Sequence, residues 1–338
     1  MKADPFERFK DLNENHCWQY EVRLRNTEQD LSELGKDLAW AESLRTSDFD
    51  FAAVIPPGDK PEKLKKDATP EQQKEYKKKL LLFRSEKKEY EEACDEVRDF
   101  IIRHEFLGCL PNRPTHRFTA RLKGTRTLAG VIVMATPNAF SHLLGKENKN
   151  IIKLVSRGAS ISWAPKNMGS WLVSRACKWM VQNTDFRCFE AYSDPLAKEL
   201  GTIYQALNWI YLGQTSGTNK VYRDPDHKER GWFSDRDFRK KSKYKRYAEA
   251  LGISTEQWKS YMGKYTPKWD TMPSGLKDKI KAEEKKFRDR CDSREVPAKH
   301  KYCYILGRNK KETKQLRQKF VECNPSKVNL PYPKERGE

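Results

Sequence analysis

The stretch from Ala159 to Ser170 has the residue types of an anion-binding loop that opens a helix. It contains small and hydroxyl residues together with Lys166, Asn167, Gly169 and Ser170. The first N–H groups of a helix have no partner within the helix and carry the positive end of its dipole, so they favour a phosphate. The spacing matches neither GxGxxG nor a Walker motif. The alternative interpretation is a capped helix with Ser170 as an N-terminal residue.

Asp194 is a candidate general base. It follows a strand pattern that ends at Tyr192 and directly precedes Pro195. A carboxylate in that place can accept a hydrogen bond from an exocyclic amine, or take its proton. Aspartate is also a preferred N-cap residue, so capping of the next helix stays open beside the catalytic role.

Arg157 and His104 are further candidates for contacts with a substrate. Arg157 ends a strand pattern, where its guanidinium can bind a phosphate bidentately or form a surface salt bridge. His104 closes the apolar face of a helix. It fits either a buried core histidine or a group for base contact, proton transfer or metal ligation.

A dense run of cations follows near residue 240, in which two tyrosines are interleaved. Basic side chains neutralise phosphates by releasing counterions, and aromatic rings can stack on unpaired bases. The alternatives are a solvated helix face and a nuclear-localisation signal. The candidate nucleic-acid contacts are Arg239, Lys240, Lys241, Lys243, Lys245 and Arg246.

The elements that must position these residues are indicated by hydrophobic periodicity. Alternating or continuous apolar runs predict strands, and apolar residues at spacings of three and four predict helices. The resulting order is β-β-β-α-β-α-β, a mixed α/β (α+β) core with an antiparallel start and a parallel βαβ middle. The strands are expected near 118–122, 128–134, 151–157, 187–192 and 209–213, and the helices near 171–182 and 197–207.

The pattern divides the chain into four parts. Residues 1–106 are expected to be a charged, mainly helical N-terminal extension, and residues 107–225 the catalytic core. Residues 226–298 are expected to be a basic helical insertion that contacts nucleic acid. Residues 299–338 are expected to contain a late strand that returns to the core, followed by a tail.

Composition supports a globular chain with a polyanionic partner. The 338 residues carry a formal net charge of +19, and 11% are aromatic, which argues against wholesale disorder. No apolar run is long enough for a membrane helix, and because the first residues contain no apolar stretch we expect no secretory signal. The eight cysteines form no CxxC pair, so we expect reduced thiols and no zinc site.

The order of elements, with a phosphate-type loop after the third predicted strand, resembles the GNAT acyltransferase superfamily. There, two splayed strands hold an acyl-CoA and the pyrophosphate lies on this helix N-terminus. Tyr204, five residues before Trp209, resembles the GNAT tyrosine that protonates the departing CoA thiolate. The resemblance therefore implies an acyl-CoA cofactor at the loop and a general-acid role for Tyr204.

A narrower resemblance is to the phage Mom family of DNA-modification proteins, which are GNAT-like. It rests on the motifs Arg103–Gly108, Ser156-Arg157-Gly158-Ala159, Trp163-Ala164-Pro165, Gly169-Ser170, Tyr192-Ser193-Asp194-Pro195, Glu199–Ala206 and Lys299–Tyr302. It covers residues 97–215 and 299–307. Members place a methylcarbamoyl group on the N6 amino group of adenine in phage DNA.

The resemblance implies a DNA base-modifying transferase in the host-cell cytoplasm, with DNA and a small acyl donor as partners. Its catalytic residues would be Asp194, Tyr204 and His104, which could also form an iron site. The adenine N6 amine is a poor nucleophile, because its lone pair is delocalised into the ring. Because it also lies inside the base stack, the base would be flipped out or single-stranded. Two alternatives remain: a GNAT enzyme acting on another amine, in a modified pyrimidine or a protein, and a non-catalytic DNA-binding regulator.

Overall fold

A computed structural model describes residues 27–64, 68–105, 107–111, 113–137, 142–197, 199–215, 219–227, 231–263 and 266–334. They belong to two units. The first contains the described residues up to Thr215 and from Lys299 onward, and the second contains those in between. None of the described helices is both long enough and apolar enough to cross a membrane.

The first unit is built on a seven-stranded sheet in the order β1-β2-β3-β4-β5-β10-β6. The neighbouring strands are antiparallel except for β4 and β5, which are parallel. The strands are β1 (Phe49–Val54), β2 (Pro114–Leu122), β3 (Leu128–Ala135), β4 (Ile152–Ser160), β5 (Cys188–Ser193), β6 (Ile210–Gln214) and β10 (His300–Ile305).

Helices cover both faces of this sheet. They are α1 (Thr27–Glu33), α2 (Leu38–Ser43), α3 (Pro70–His104), α4 (Met168–Asn183), α5 (Thr202–Ala206) and α9 (Lys310–Cys323). Helix α4 buries its apolar stripe, which includes Leu172 and Met180, in the main core. On the opposite face, Phe100 of α3 packs near β3, and Phe320 of α9 packs near β5 and β10. Because both faces are covered, all eight residues of β3 are buried.

The second unit has its own small sheet and helices. The sheet order is β8-β7-β9, with β7 (Asn219–Arg223), β8 (Phe233–Ser234) and β9 (Asp292–Val296). The helices are α6 (Lys241–Ala250), α7 (Thr255–Tyr261) and α8 (Leu276–Arg290). Their core contains Tyr244, Tyr247, Trp258 and Ile280.

The expectation of a mixed α/β chain is confirmed, and two details differ. Strand β1 lies within the N-terminal region expected to be helical, and it pairs with β2 at the sheet edge. Phe49, Phe51 and Ala53 alternate along it, with Phe49 in the main core. Strand β7, which lies in the stretch assigned to the core, pairs instead with β8 and β9.

Candidate active site

A gap opens between the two parallel strands at their carboxyl ends. Strands β4 and β5 are paired from Ile152–Cys188 to Val155–Ala191, and the pairing stops there although both strands continue. The register of β4 against β3 also shifts at Ser156, immediately after the last pair. A bulge bends its strand and is common beside active sites. The two strands therefore separate where Arg157 and Tyr192 follow.

The N-terminus of α4 leaves backbone donors available. The side chain of Asn167, the residue before the helix, forms no capping hydrogen bond. The hydroxyl of Ser170 instead donates to the Asn167 carbonyl at 3.0 Å. In the described part of the chain, the N–H groups of Gly169 and Ser170 have no acceptor. With exposed Lys166 beside them, they form a suitable place for a phosphate.

Gly169 also brings α5 against this helix end. A Cβ at Gly169 would lie 2.9 Å from Cδ1 of Ile203, the residue before Tyr204. The same position is 3.9 Å from the hydroxyl oxygen of Ser160, at the end of β4. The open N–H groups, the end of β4 and the helix that carries Tyr204 therefore meet at one place.

Tyr204 lies on the short helix α5 among aromatic rings. Its ring centroid is 4.9 Å from that of Trp209 and 5.3 Å from that of Tyr302. Burial raises the pKa of the Tyr204 hydroxyl well above its usual value, and the negative charges of Glu199 and Glu105 add to that increase. The phenol therefore keeps its proton at neutral pH and can act as an acid.

Asp194 follows β5 directly, and its carboxylate Oδ2 is 2.7 Å from Nζ of Lys299. Its backbone carbonyl accepts hydrogen bonds from the N–H groups of Ala197 and Glu199. The backbone of Asp194 thus starts the turn that leads towards Tyr204, while its side chain faces a cation. In the sequence, Lys299 stands out only as part of the Lys299–Tyr302 motif. Its ion pair with Asp194 could not be predicted, because the two residues are far apart along the chain.

Arg157 contacts residues that follow α3 and, within the described chain, forms no hydrogen bond or ion pair with the N-terminus of α4. Its Nε donates to the Cys109 carbonyl at 2.9 Å and lies 3.9 Å from Glu105 Oε2. The bulge explains this: Val155 pairs with Met134 on the α4 face, whereas Arg157 pairs with Val133 on the α3 face. Of the two alternatives left open by the sequence, Arg157 therefore has the salt bridge, and phosphate binding by its guanidinium stays a prediction.

His104 ends α3, and its ring centroid is 4.4 Å from that of Phe100 in the core beneath that helix. The next residue, Glu105, is buried, accepts a hydrogen bond from the Leu107 N–H and raises the pKa of Tyr204. Sequence reasoning assigned no role to Glu105. Among the described residues, no three His, Cys, Asp or Glu side chains are grouped closely enough to hold a metal ion.

The basic residues of the second unit are distributed differently from the expectation. Lys243 is buried, and its Nζ lies 4.1 Å from the ring centroid of Phe287. Tyr244 and Tyr247 are also buried, so they are core residues and cannot stack on a base. Both corrections follow from helix geometry, because one face of α6 must pack on the core.

The remaining cations of this cluster are exposed. Arg239 pairs with Asp235, Lys240 with Asp237, and Lys245 with Glu249. Within the described residues, Lys241 and Arg246 form no ion pair. These surface cations have partly compensated charge and are called here the exposed face of α6: Arg239 and Lys240, which directly precede the helix, and Lys241, Lys245 and Arg246 on it.

Comparison with known proteins gives one family. The family model described as the Mom protein family matches residues 91–322. That range contains Asp194 and Tyr204, the gap between β4 and β5, and the whole described part of the second unit. No curated protein matches the chain.

Proposed function

Because the chain belongs to the Mom protein family, we propose that it is a phage-type DNA-modification enzyme that transfers a small acyl-like group to an exocyclic amine of a DNA base. The observation that carries this proposal is the gap between β4 and β5. On one side it has the open N–H groups of α4, and Asp194 and Tyr204 follow β5. The favoured target is adenine N6, and the transferred group is methylcarbamoyl or a related acyl group.

The residues at the start of α4 fit the phosphate of an acyl-CoA. A Cβ at Gly169 would press on the end of the Ile203 side chain, and the N–H groups of Gly169 and Ser170 lack acceptors in the described chain. Lys166 and Asn167 lie exposed beside them. When bound, the thioester supplies an activated acyl carbon and a thiolate leaving group. The GNAT resemblance supports this choice of donor, since its splayed strands correspond to the gap described above.

Asp194 and Tyr204 divide the proton transfers between them. The Asp194 carboxylate can accept the proton that the amine loses as its nitrogen bonds to the acyl carbon. Tyr204 holds a proton on its phenolic oxygen and can deliver it to the sulfur as the carbon–sulfur bond breaks. Lys299, 2.7 Å from Asp194, holds that carboxylate in place. An iron site at His104, Asp194 and Tyr204 stays a hypothesis.

The enzyme must also bind the DNA backbone, and the exposed face of α6 is suited to this role. Phosphate contacts position a DNA-binding protein without reading the base. This leaves recognition of the base to the first unit. An extruded or single-stranded base is the expected substrate, because an amine inside the base stack cannot reach the Asp194 carboxylate, whose side chain is only 15% exposed.

Mass spectrometry of nucleosides tests the proposal. DNA from cells that express the chain should contain a modified deoxyadenosine. Asp194→Asn and Tyr204→Phe should each lower its yield about 100-fold or more, the usual worth of a general base or acid. Asp185→Asn, at a carboxylate that is 93% exposed, is the matched control.

DNA affinity of the same variants separates the alternatives. Because Asp194 and Tyr204 are not phosphate contacts, both variants should bind DNA as the wild type does. A modified base other than adenine would identify a different amine as the acceptor. DNA binding without any modified nucleoside, in a host that supplies acyl-CoA donors, would contradict the enzyme and favour a regulator.

A further inference from the structure

The side of β5 that faces away from α4 presents a row of polar residues that the proposed chemistry does not use. Phe189 and Ala191 point into the core beneath α4, whereas Cys188 packs with Phe320 of α9 on the other side. Since side chains alternate along a strand, Glu190 and Tyr192 share the side of Cys188. This row runs along the strand towards Asp194.

Strand β10 supplies cations opposite this row. Lys301 is paired in register with Tyr192, and its Nζ is 5.7 Å from the centroid of the Tyr192 ring. The same Nζ is 3.5 Å from Oε1 of Glu190. Two residues before Lys301, Nζ of Lys299 lies 2.7 Å from Oδ2 of Asp194. Tyr192 therefore lies between two lysine–carboxylate pairs.

In the ion pair of Lys301 with Glu190, the carboxylate is almost completely buried, whereas the lysine side chain is 22% exposed. Glu190 is 1% exposed, and its Oε1 makes no hydrogen bond within the described residues despite the nearby ammonium. A buried ion pair is poor as a stabilising device, and an unsatisfied buried oxygen is costly. Such groups persist mainly where they have a function. Stability alone does not explain Glu190 at this position.

Tyr192, in contrast, is 38% exposed, so part of its aromatic ring faces solvent. It lies at the end of β5, past the last residue paired with β4. Tyr192 thus follows the point where β4 and β5 separate, two residues before Asp194, and its ring lies beside Lys301 of β10. A flat ring beside a carboxylate offers both a stacking surface and an acceptor for an amine.

We propose that Tyr192 is the platform on which the target base stacks, with Lys301 held beside it by Glu190. This inference rests on the proposed function and identifies the acceptor as an extrahelical nucleobase. Stacking on one ring would place the exocyclic amine of the base within the reach of Asp194, about 7 Å further along the strand. Lys301 can donate to a ring nitrogen or a carbonyl at the edge of the base.

The geometry favours a base over a flexible aliphatic amine. An aliphatic amine has no planar face and would gain little from the exposed ring of Tyr192. A planar base gains from stacking on such a ring. The basic surface of the second unit also suits a polyanionic strand that carries the base.

Fluorescence of 2-aminopurine tests the platform directly. Single-stranded oligonucleotides with one 2-aminopurine are titrated with the wild type, Tyr192→Phe, Tyr192→Leu and the control Tyr76→Leu, a tyrosine on α3. We expect quenching with the wild type, Tyr192→Phe and Tyr76→Leu. Tyr192→Leu should lose the quenching and bind about fivefold or more weakly. Thermal unfolding checks that all four proteins fold.

The outcomes separate this inference from the proposed function. Quenching that depends on the ring at 192, without any modified nucleoside in cells, supports the platform and contradicts the transferase. A modified nucleoside whose yield is the same in wild type and Tyr192→Leu supports the transferase and overturns the platform. Equal quenching by wild type and Tyr192→Leu also overturns the platform.

Discussion

Tyr204 shows how one side chain depends on its neighbours for its chemistry. Its ring is held between Trp209 and Tyr302, and Tyr302 donates a hydrogen bond to the Leu200 carbonyl. Gly201 lies between these groups, with a positive φ of 72°. The position of the proposed acid therefore depends on a residue without a side chain.

Gly201→Ala should destabilise the first unit strongly. A Cβ there would lie 2.5 Å from Cε2 of the buried Tyr302, in addition to the strain of the positive φ. We expect a loss of about 3 kcal/mol, from about 1–2 kcal/mol of backbone strain and a similar term for overpacking. Gly124→Ala is the control, because its φ is 71° and nothing lies within 4 Å. Denaturant unfolding should show a loss of about 1 kcal/mol there, and equal losses would contradict the steric argument.

Lys153→Met should stabilise the protein in a pH-dependent way. Burial lowers the pKa of Lys153 from 10.5 to about 8, so at neutral pH the folded state holds a desolvated charge. The unfolded state binds more protons between these values, so wild-type stability rises with pH across that window. We expect the variant to gain about 1–2 kcal/mol at pH 7, with Phe186 beneath the ammonium limiting the gain.

That gain should shrink as pH rises from 8 towards 10.5, because the folded wild-type protein then no longer holds a charged Lys153 while the unfolded chain keeps its proton. Urea unfolding at a series of pH values measures it. Lys178→Met, on the exposed side of α4, should show no such trend. A gain that is constant with pH would show that the charge of Lys153 is not its cause.

At the residue scale, the places of the loop around Gly169 and of the aspartate after β5 could be predicted, because turn residues and strand ends are visible in the sequence. Their roles in a site stay predictions. The orientation of Arg157 could not, since the bulge at Ser156 arises from pairing with β3. The burial of Lys243 had a local signal, its position four residues before Tyr247 on one helix face.

At the element scale, the order of strands and helices between residues 107 and 215 follows from periodicity. Each of these elements has its own apolar pattern, so the β-β-β-α-β-α-β order could be predicted. Strand β1 was missed because it is only six residues long and directly follows a short 3₁₀ helix, Thr46–Asp48. The gap between β4 and β5 was beyond local reasoning, because pairing between distant segments determines where two strands separate.

The exposed face of α6 should set DNA affinity rather than chemistry. Changing Lys240, Lys241 and Lys245 to alanine should weaken binding and lower the salt slope by about three, one for each phosphate contact. The control triple changes Lys77, Lys78 and Lys79 to alanine on exposed positions of α3. Lys243→Ala is expected instead to destabilise the second unit, since this side chain packs on Phe287. Fluorescence anisotropy at several salt concentrations distinguishes these effects.

At the scale of the whole molecule, the first unit extends beyond the matched family range. That range begins at residue 91, yet Leu31 and Phe49 belong to the same core as α4. Asp30 also links two parts of the site region: it contacts Arg103 of α3 and the hydroxyl of Ser162, before α4. The segment before the family range therefore takes part in holding the site.

Leu31→Ala tests this contribution. Leu31 is 1% exposed in the main core, so we expect a loss of about 2–4 kcal/mol. Leu38→Ala, at a side chain that is 49% exposed, should change stability by less than about 0.5 kcal/mol. Denaturant unfolding followed by tryptophan fluorescence measures both. Equal stability of the two variants would show that α1 contributes little to the core.

The place of β10 in the sheet has a consequence for biosynthesis. This strand lies between β5 and β6, yet the ribosome makes it only after the whole second unit. Until residue 305 has left the exit tunnel, β5 and β6 lack their shared neighbour, and Asp194 lacks Lys299. At about 5–20 residues per second, several seconds pass between the synthesis of β6 and the synthesis of β10. A truncated translation product that ends before β10 would therefore carry the basic surface of the second unit without the Lys299–Asp194 ion pair. Under the proposed function, such incomplete chains would bind DNA without modifying it.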